Sequence, residues 1–188
     1  MAFRSTKTFG HELGLSACFR QWKAESHCRL LHGYALSIHI EFEADELDAR
    51  NWVVDFGSMK SLKGMLEDSF DHKLIVAEDD PMLDELLHLQ SLGLAEVVIL
   101  PATGCERFAE MIFGATECWL DSNGYSPRCR VASVEVREHG ANSAIYYAQH
   151  VAPVVANITL DTADIVEHLK SAEFAQTIAA LSNESKDV

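Results

Sequence analysis

The chain has 188 residues, 48% of them hydrophobic and 23% charged, with a formal net charge of −14. This is the length of one self-sufficient domain, and the apolar and charged shares are ordinary for a soluble globular protein. The negative balance argues against nucleic acid and anionic membranes as partners, and no run of eighteen apolar residues is present to cross a bilayer.

The charge is uneven. Residues 1–30 carry five basic groups (Arg4, Lys7, Arg20, Lys23, Arg29) against two acids (Glu12, Glu25), a net of +3 that leaves −17 for the remainder. The first seven residues contain no apolar stretch of the kind that directs secretion, and the five cysteines are scattered rather than spaced as a disulfide framework. The expectation is a cytoplasmic protein with free thiols.

In chain order, Thr6 to Phe19 reads as a strand interrupted at Gly10 and Gly14, where bulges are expected. Tyr34 to Glu43 alternates: Tyr34, Leu36, Ile38, Ile40 and Phe42 share one face, and Ser37, His39, Glu41 and Glu43 the other. The acidic stretch 44–50 reads as a hairpin loop, and Trp52 to Val54 as a short strand. From Asp55, a plausible N-cap, Phe56, Met59, Leu62, Leu66 and Phe70 recur at helical spacing. Pro81 opens a short helix that Gly93 ends, and Glu96 to Leu100 forms a strand stopped by Pro101. Thr103 is placed to cap a second long helix carrying Phe108, Met111, Ile112, Ala115 and Trp119, followed by a turn at Asn123, Gly124 and Pro127. Cys129 to Val136 and Ser143 to Tyr147 read as strands joined by a turn at 140–142. The layout is α+β, with a four-stranded antiparallel sheet packed on two helices and an insert at 81–100. The domain so predicted spans 1–150. Residues 151–188 form an extension in which Asp161 to Leu181 has the pattern of an amphipathic helix.

Four places carry residues suited to chemistry. Cys28 lies among Ser26, His27 and Arg29, and a charged neighbour of that kind favours a thiolate. His32, four residues on, is a ligand or proton carrier. Asp71 and His72 follow the first helix, where a carboxylate can orient and charge an imidazole. Glu138 ends a strand beside His139, and a carboxylate there can clamp a guanidine-like edge through two hydrogen bonds. Singly, each has an ordinary structural reading as well: a small buried thiol, a satisfied imidazole, a helix C-cap, a strand-end acid.

Taken together and in this order, Cys28-x-x-x-His32-Gly33, Asp55-Phe56, Asp71-His72-Lys73-Leu74, a Glu106-led helix and Val136-Arg137-Glu138 resemble the 6-pyruvoyl and 6-carboxytetrahydropterin synthase family. The resemblance spans roughly residues 5–149. It implies the tunnelling fold, in which strands of several subunits close a barrel and active sites lie between subunits, hence a homo-oligomer, a hexamer by family likeness. It also implies a small-molecule pterin substrate, 7,8-dihydroneopterin triphosphate or a related dihydropterin, and no nucleotide cofactor. Carried over by position, Cys28 is the thiol that moves side-chain protons of the substrate, Asp71 and His72 are its partners, and Glu138 anchors the amide and amino edge of the pterin ring. Glu106 matches the acid of a Ser/Thr-x-Glu helix start, with Gly104 and Cys105 standing where small hydroxyl residues are usual.

The family's zinc is held by three histidines, one ending the first strand and two in His-x-His. His32 is the first of the latter pair, and Tyr34 stands where the second belongs. Aligning Leu15 to Arg20 on the family's Phe-x-Ala-Ala-His-Arg puts Phe19 at the strand-end position, whereas a shift of one puts Cys18 there as a thiolate ligand. The first register matches more flanking residues and leaves one ligand of three. A zinc site would then have to draw on His32 and Cys18, joined by His11 or His27. The residues therefore leave three readings: a lyase of the 6-carboxytetrahydropterin synthase type, a metal-free paralogue with another pterin proton-transfer or aldol reaction, and a non-catalytic pterin-binding or assembly module. Whether the product carries a pyruvoyl or a carboxy group stays open, as does the pathway it serves, queuosine-type or biopterin.

Overall fold

Alternation in one long strand organises the domain. In a computed structural model that describes residues 2–148, this strand, β3, runs His32–Ala44, and Leu36, Ile38, Ile40, Phe42 and Ala44 on its inward face are fully buried. The helix expected at 161–181 lies outside the described residues.

The segment read as one interrupted strand is two, β1 (Phe3–Phe9) and β2 (Leu15–Phe19), and both pair antiparallel with β3. β1 takes its far half, from Phe9↔Ile38 to Phe3↔Ala44, and β2 its near half, from Leu15↔Leu36 to Phe19↔His32. Between them a single 3-10 turn at His11–Leu13 absorbs the excess chain, and Gly14 closes it at φ 76°, a conformation that favours glycine.

On the other side of β3 lie β6 (Cys129–His139) and β7 (Asn142–Tyr147), both antiparallel, close to where the alternation places them. The sheet is nonetheless larger than the four antiparallel strands expected. β4 (Lys73–Ala77) and β5 (Glu96–Leu100) extend it in parallel from β2, giving seven strands in the path β5-β4-β2-β3-β6-β7, with β1 also on β3. β4 carries no alternation to read, because Leu74, Ile75, Val76 and Ala77 are all buried, as expected of a strand covered on both faces. The class remains α+β.

Among the described residues, three α-helices cover the sheet. α1 (Lys60–Phe70) and α3 (Cys105–Ser122) bury Leu62, Leu66, Phe70, Phe108 and Ile112 in one core with Phe19 and the inward residues of β3. α2 (Leu83–Ser91), from the insert, joins a second cluster of Leu74, Val76 and Leu86, against which Cys18 packs. Leu74 and Val76 alternate with Ile75 of the first core, so α2 lies on the opposite face of the sheet.

Two local expectations are corrected. Trp52–Val54 is not a strand: the Trp52 and Val53 carbonyls accept from Arg128, at 3.3 and 2.8 Å, and the Asp48 side chain accepts from Trp52 N–H, so side chains satisfy the backbone that a ladder would have used. Thr103 does not cap α3. Gly104 occupies that position at φ 119°, and the Thr103 hydroxyl donates to the Arg20 carbonyl at 2.6 Å. Asp55 does cap, accepting from Gly57 N–H at 2.8 Å, but it caps a 3-10 turn (Phe56–Ser58) that leads into α1.

Candidate active site

Cys28 sits in the loop that returns β2 to β3. The loop is held by backbone and caps: Gln21 N–H donates to the Cys28 carbonyl at 2.8 Å, and the Ser26 hydroxyl accepts from Cys28 N–H. Arg20, at the foot of the loop, is its hub. Its Nε donates to Asp80 Oδ2 at 2.7 Å, Nη2 to Asp80 Oδ1, and Nη1 to the Arg29 carbonyl at 3.4 Å. With the Thr103 bond to its own carbonyl, Arg20 ties the Cys28 loop, the insert and the start of α3 to one another. Asp80 is 1% exposed, and the Arg20 guanidinium holds its carboxyl below the usual carboxylate range against the opposing effect of burial.

β3 begins at His32, and the cross-strand pairs Phe19↔His32 and Ala17↔Tyr34 set Phe19, His32 and Tyr34 on one face. Their rings form a cluster: Phe19 and His32 centroids are 4.9 Å apart, His32 and Tyr34 5.7 Å, and Tyr34 and His139 5.8 Å. The Tyr34 phenol is pushed up chiefly by the Glu138 carboxylate, with burial, Cys28 and Cys105 adding. Burial, reinforced by Glu138 and Glu106, pushes the Cys105 thiol up to about 12. Cys28, Tyr34, Cys105, Glu106 and Glu138 therefore share one electrostatic neighbourhood, made by the Cys28 loop, the start of β3, the start of α3 and the end of β6. At Gly104 a Cβ would come within 2.5 Å of Gln21 Nε2 and 3.6 Å of Glu106 Oε2, so the helix start lies against the Gln21 side chain, and the Gly104 φ of 119° is one that favours glycine.

The five cysteines differ sharply in access: Cys105 and Cys129 are buried, Cys118 is exposed, and Cys18 and Cys28 are half-buried. With Cys105 pushed up to about 12 and Cys129 to about 11 by burial, iodoacetamide at pH 8 is expected to label Cys118 and Cys28 and to spare Cys105 and Cys129. Peptide mass mapping of a time course checks this, and early labelling of Cys105 would contradict the described packing.

Asp71 and His72 lie elsewhere. His72 Nδ1–H donates to Asp71 Oδ1 at 2.7 Å, and the same oxygen accepts from Ser16 N–H at 3.3 Å. His72 is 84% exposed and adopts φ 56°, a left-handed conformation uncommon outside glycine. The pair is thus a formed dyad presented outward. Asp71 is fixed to Ser16 near one end of β2, and Cys28 to Gln21 just past the other, anchors separated by at most about 16 Å of chain. The thiol loop and the Asp71–His72 dyad are thus anchored toward opposite ends of β2 within one chain.

The metal candidates do not assemble. Cys18 pairs with Gly33, on the sheet face away from His32, and packs against the cluster of Leu74, Val76 and Leu86. Burial also raises its thiol. His11 Nδ1–H donates to the Ala35 carbonyl at 2.5 Å, three residues along β3 from His32, and His27 is exposed within the turn at His27–Arg29. Among the described residues no three His, Cys, Asp or Glu side chains are placed to hold a metal ion. The donor set therefore does not fit the zinc that the resemblance implies.

Gln21, Arg20 and Asp80 had no signal in the sequence. Their contacts join segments 60 and 83 residues apart, and no spacing rule foretells them.

Comparison with known proteins agrees with the architecture. Residues 10–149 match the family model described as 6-pyruvoyl tetrahydropterin synthase. A 6-carboxy-5,6,7,8-tetrahydropterin synthase of Aquifex aeolicus is 27% identical over 78% of this chain and 98% of its own length. The Bacillus subtilis protein of the same name is 28% identical over 63% and 69%. Among solved structures, an uncharacterized protein from Wolinella succinogenes superposes with a TM-score of 0.66 at 22% identity, covering 79% of this chain and 99% of that one. The 6-pyruvoyl tetrahydropterin synthase of Plasmodium falciparum gives 0.55 at 15%, covering 78% and 98%; at these identities both show the fold alone. With its tunnelling fold and a family match over most of its length, the chain belongs to the 6-pyruvoyl tetrahydropterin synthase family of pterin-processing enzymes.

Proposed function

We propose that this chain is a lyase of the 6-carboxytetrahydropterin synthase type, acting on 7,8-dihydroneopterin triphosphate or a closely related dihydropterin. The observation that carries the reading is the convergence of the elements bearing Cys28, Tyr34, Glu106 and Glu138: the Tyr34 ring lies 5.8 Å from that of His139, which follows Glu138, and Gly104 at the start of α3 lies against Gln21, whose N–H holds the Cys28 carbonyl. In it, Glu138 accepts two N–H groups from the amide and amino edge of the pterin, a bidentate geometry that fixes the ring. Cys28 exchanges protons with the side-chain carbons of the bound substrate.

His72, oriented through Nδ1 by Asp71, has Nε2 free as its proton partner. The separation along β2 supports drawing that imidazole from a neighbouring copy of the chain, in keeping with the homo-oligomer that family likeness implies. The expected site is then complete only in the assembly.

A second reading is favoured by the rings at positions 19 and 34: proton transfer or aldol cleavage on dihydroneopterin itself. One assay separates the two. Purified protein incubated with 7,8-dihydroneopterin triphosphate, and in parallel with dihydroneopterin, is followed by chromatography with fluorescence detection. Consumption of the triphosphate supports the first reading, turnover of dihydroneopterin alone supports the second, and two unchanged substrates overturn both.

A further inference from the structure

The three positions that hold zinc in the family do converge in this chain. Phe19 faces His32 across the β2–β3 pair, and Tyr34 follows on the same face. The backbone is therefore shaped for a three-ligand site, and the side chains decline it. Phe19 is fully buried and sets its ring edge-on to Phe108 at 5.1 Å, so that position has joined the hydrophobic core. A tyrosine is a neutral phenol at neutral pH and must lose its proton to ligate. His32 donates from Nδ1 to the Leu30 carbonyl at 2.7 Å, which leaves Nε2 as one free lone pair. His139, the other imidazole of the ring cluster, accepts from Ala141 N–H at Nδ1, so its lone pair serves its own turn.

We propose that this chain works without a resident zinc, and that the Tyr34 hydroxyl donates a hydrogen bond to the substrate side-chain oxygen that a metal would otherwise polarise. The donor role rests on the dihydropterin reading above; the metal-free site does not. The physical basis is that a fixed neutral donor, held where water is partly excluded, stabilises charge developing on oxygen without reorganising. Tyr34 is held in that way: its ring lies between His32, His139 and Phe19, the last at 6.4 Å, and packs against the buried core. His139, the residue after Glu138 on β6, lies with its ring 5.8 Å from that of Tyr34, so the phenol sits beside the strand end that carries the proposed ring anchor.

Metal content provides the test, because it is read without substrate. Full-length protein is loaded with excess zinc chloride, dialysed against zinc-free buffer, and assayed for zinc per protomer by mass spectrometry, with calorimetric titration of zinc alongside. The wild-type chain is expected to retain far less than one zinc per protomer and to show no saturable binding at micromolar zinc. Tyr34→His, and Tyr34→His combined with Phe19→His, are expected to gain binding stepwise. The single variant keeps the test open if the buried Phe19 tolerates no polar ring. In the turnover arm, Tyr34→Phe is expected to lose about a hundredfold in rate, the effect of removing one such donor.

A wild-type chain that keeps one zinc per protomer through dialysis overturns the proposal, as does a Tyr34→Phe variant with full turnover. A zinc-free chain inert toward dihydropterins overturns the functional reading and the donor role, and supports the metal-free site.

Discussion

Cys28→Ala is expected to lower dihydropterin turnover by roughly 10²–10⁴-fold, the usual contribution of a positioned proton-transfer group. The fold is expected to survive. Cys28 is half-buried in a surface loop, and the loop is fixed by groups that the substitution leaves untouched: Gln21 N–H on the Cys28 carbonyl, the Ser26 cap and the Arg20 bond to Arg29. A change of this kind away from the core shifts stability within about 0.5 kcal/mol. Equilibrium binding separates chemistry from anchoring. Glu138 is on β6, not on the loop, so Cys28→Ala retains pterin affinity while Glu138→Gln loses it. Loss of affinity in Cys28→Ala, measured by fluorescence titration with dihydroneopterin, would mean that the thiol shapes the binding site instead of working within it.

The largest expected effect on stability comes from Asp80→Ala. Asp80 is nearly inaccessible, accepts Met82 N–H at 2.8 Å, and receives Nε and Nη2 of Arg20 as a two-point pair. Removing one member of such a pair strands the other, at about 3–5 kcal/mol. Arg20 is 20% exposed and keeps the Arg29 carbonyl, which places the cost near the lower end, about 3 kcal/mol. For a chain of this size that lowers Tm by about 6–12 °C.

The pH dependence follows from the depressed Asp80 carboxyl. Its pKa in the folded protein lies below its value in the unfolded chain, so the pair contributes fully above the unfolded value, near 3.9, and the contribution is lost as pH falls through the folded one. Wild type and Asp80→Asn should therefore converge in Tm as the pH drops below about 4. A gap that persists at the acid end would assign the effect to packing instead of charge.

Much of the fold could be read from periodicity because most elements are covered on one face only. The inward residues of β3 and the apolar stripes of α1 and α3 show the periods of 2 and 3.6 directly. β4 failed that test because burial on both faces erases alternation, and Trp52–Val54 looked like a strand because apolar residues in a row do not reveal that Arg128 takes their carbonyls. The candidate site divides in the same way. Cys28, His32, Glu138 and the Asp71–His72 pair were visible as residue types in order. Their distribution was not: strand pairing puts Cys18 on the far face from His32, and the length of β2 holds the thiol away from the imidazole.

That separation makes mixing two inactive variants the most direct measurement. Cys28→Ala lacks the thiol. His72→Asn lacks the imidazole while keeping a residue that tolerates the left-handed backbone at this position. Each alone is expected to be inactive toward 7,8-dihydroneopterin triphosphate. Co-expressed or refolded together in equal amounts, they are expected to recover about one quarter of the wild-type rate, since random assembly pairs an intact thiol with a neighbouring intact imidazole at one site in four. Mixed assemblies that form, as shown by tagging the two variants differently, yet remain as inactive as either parent would contradict a site built from two copies of this chain.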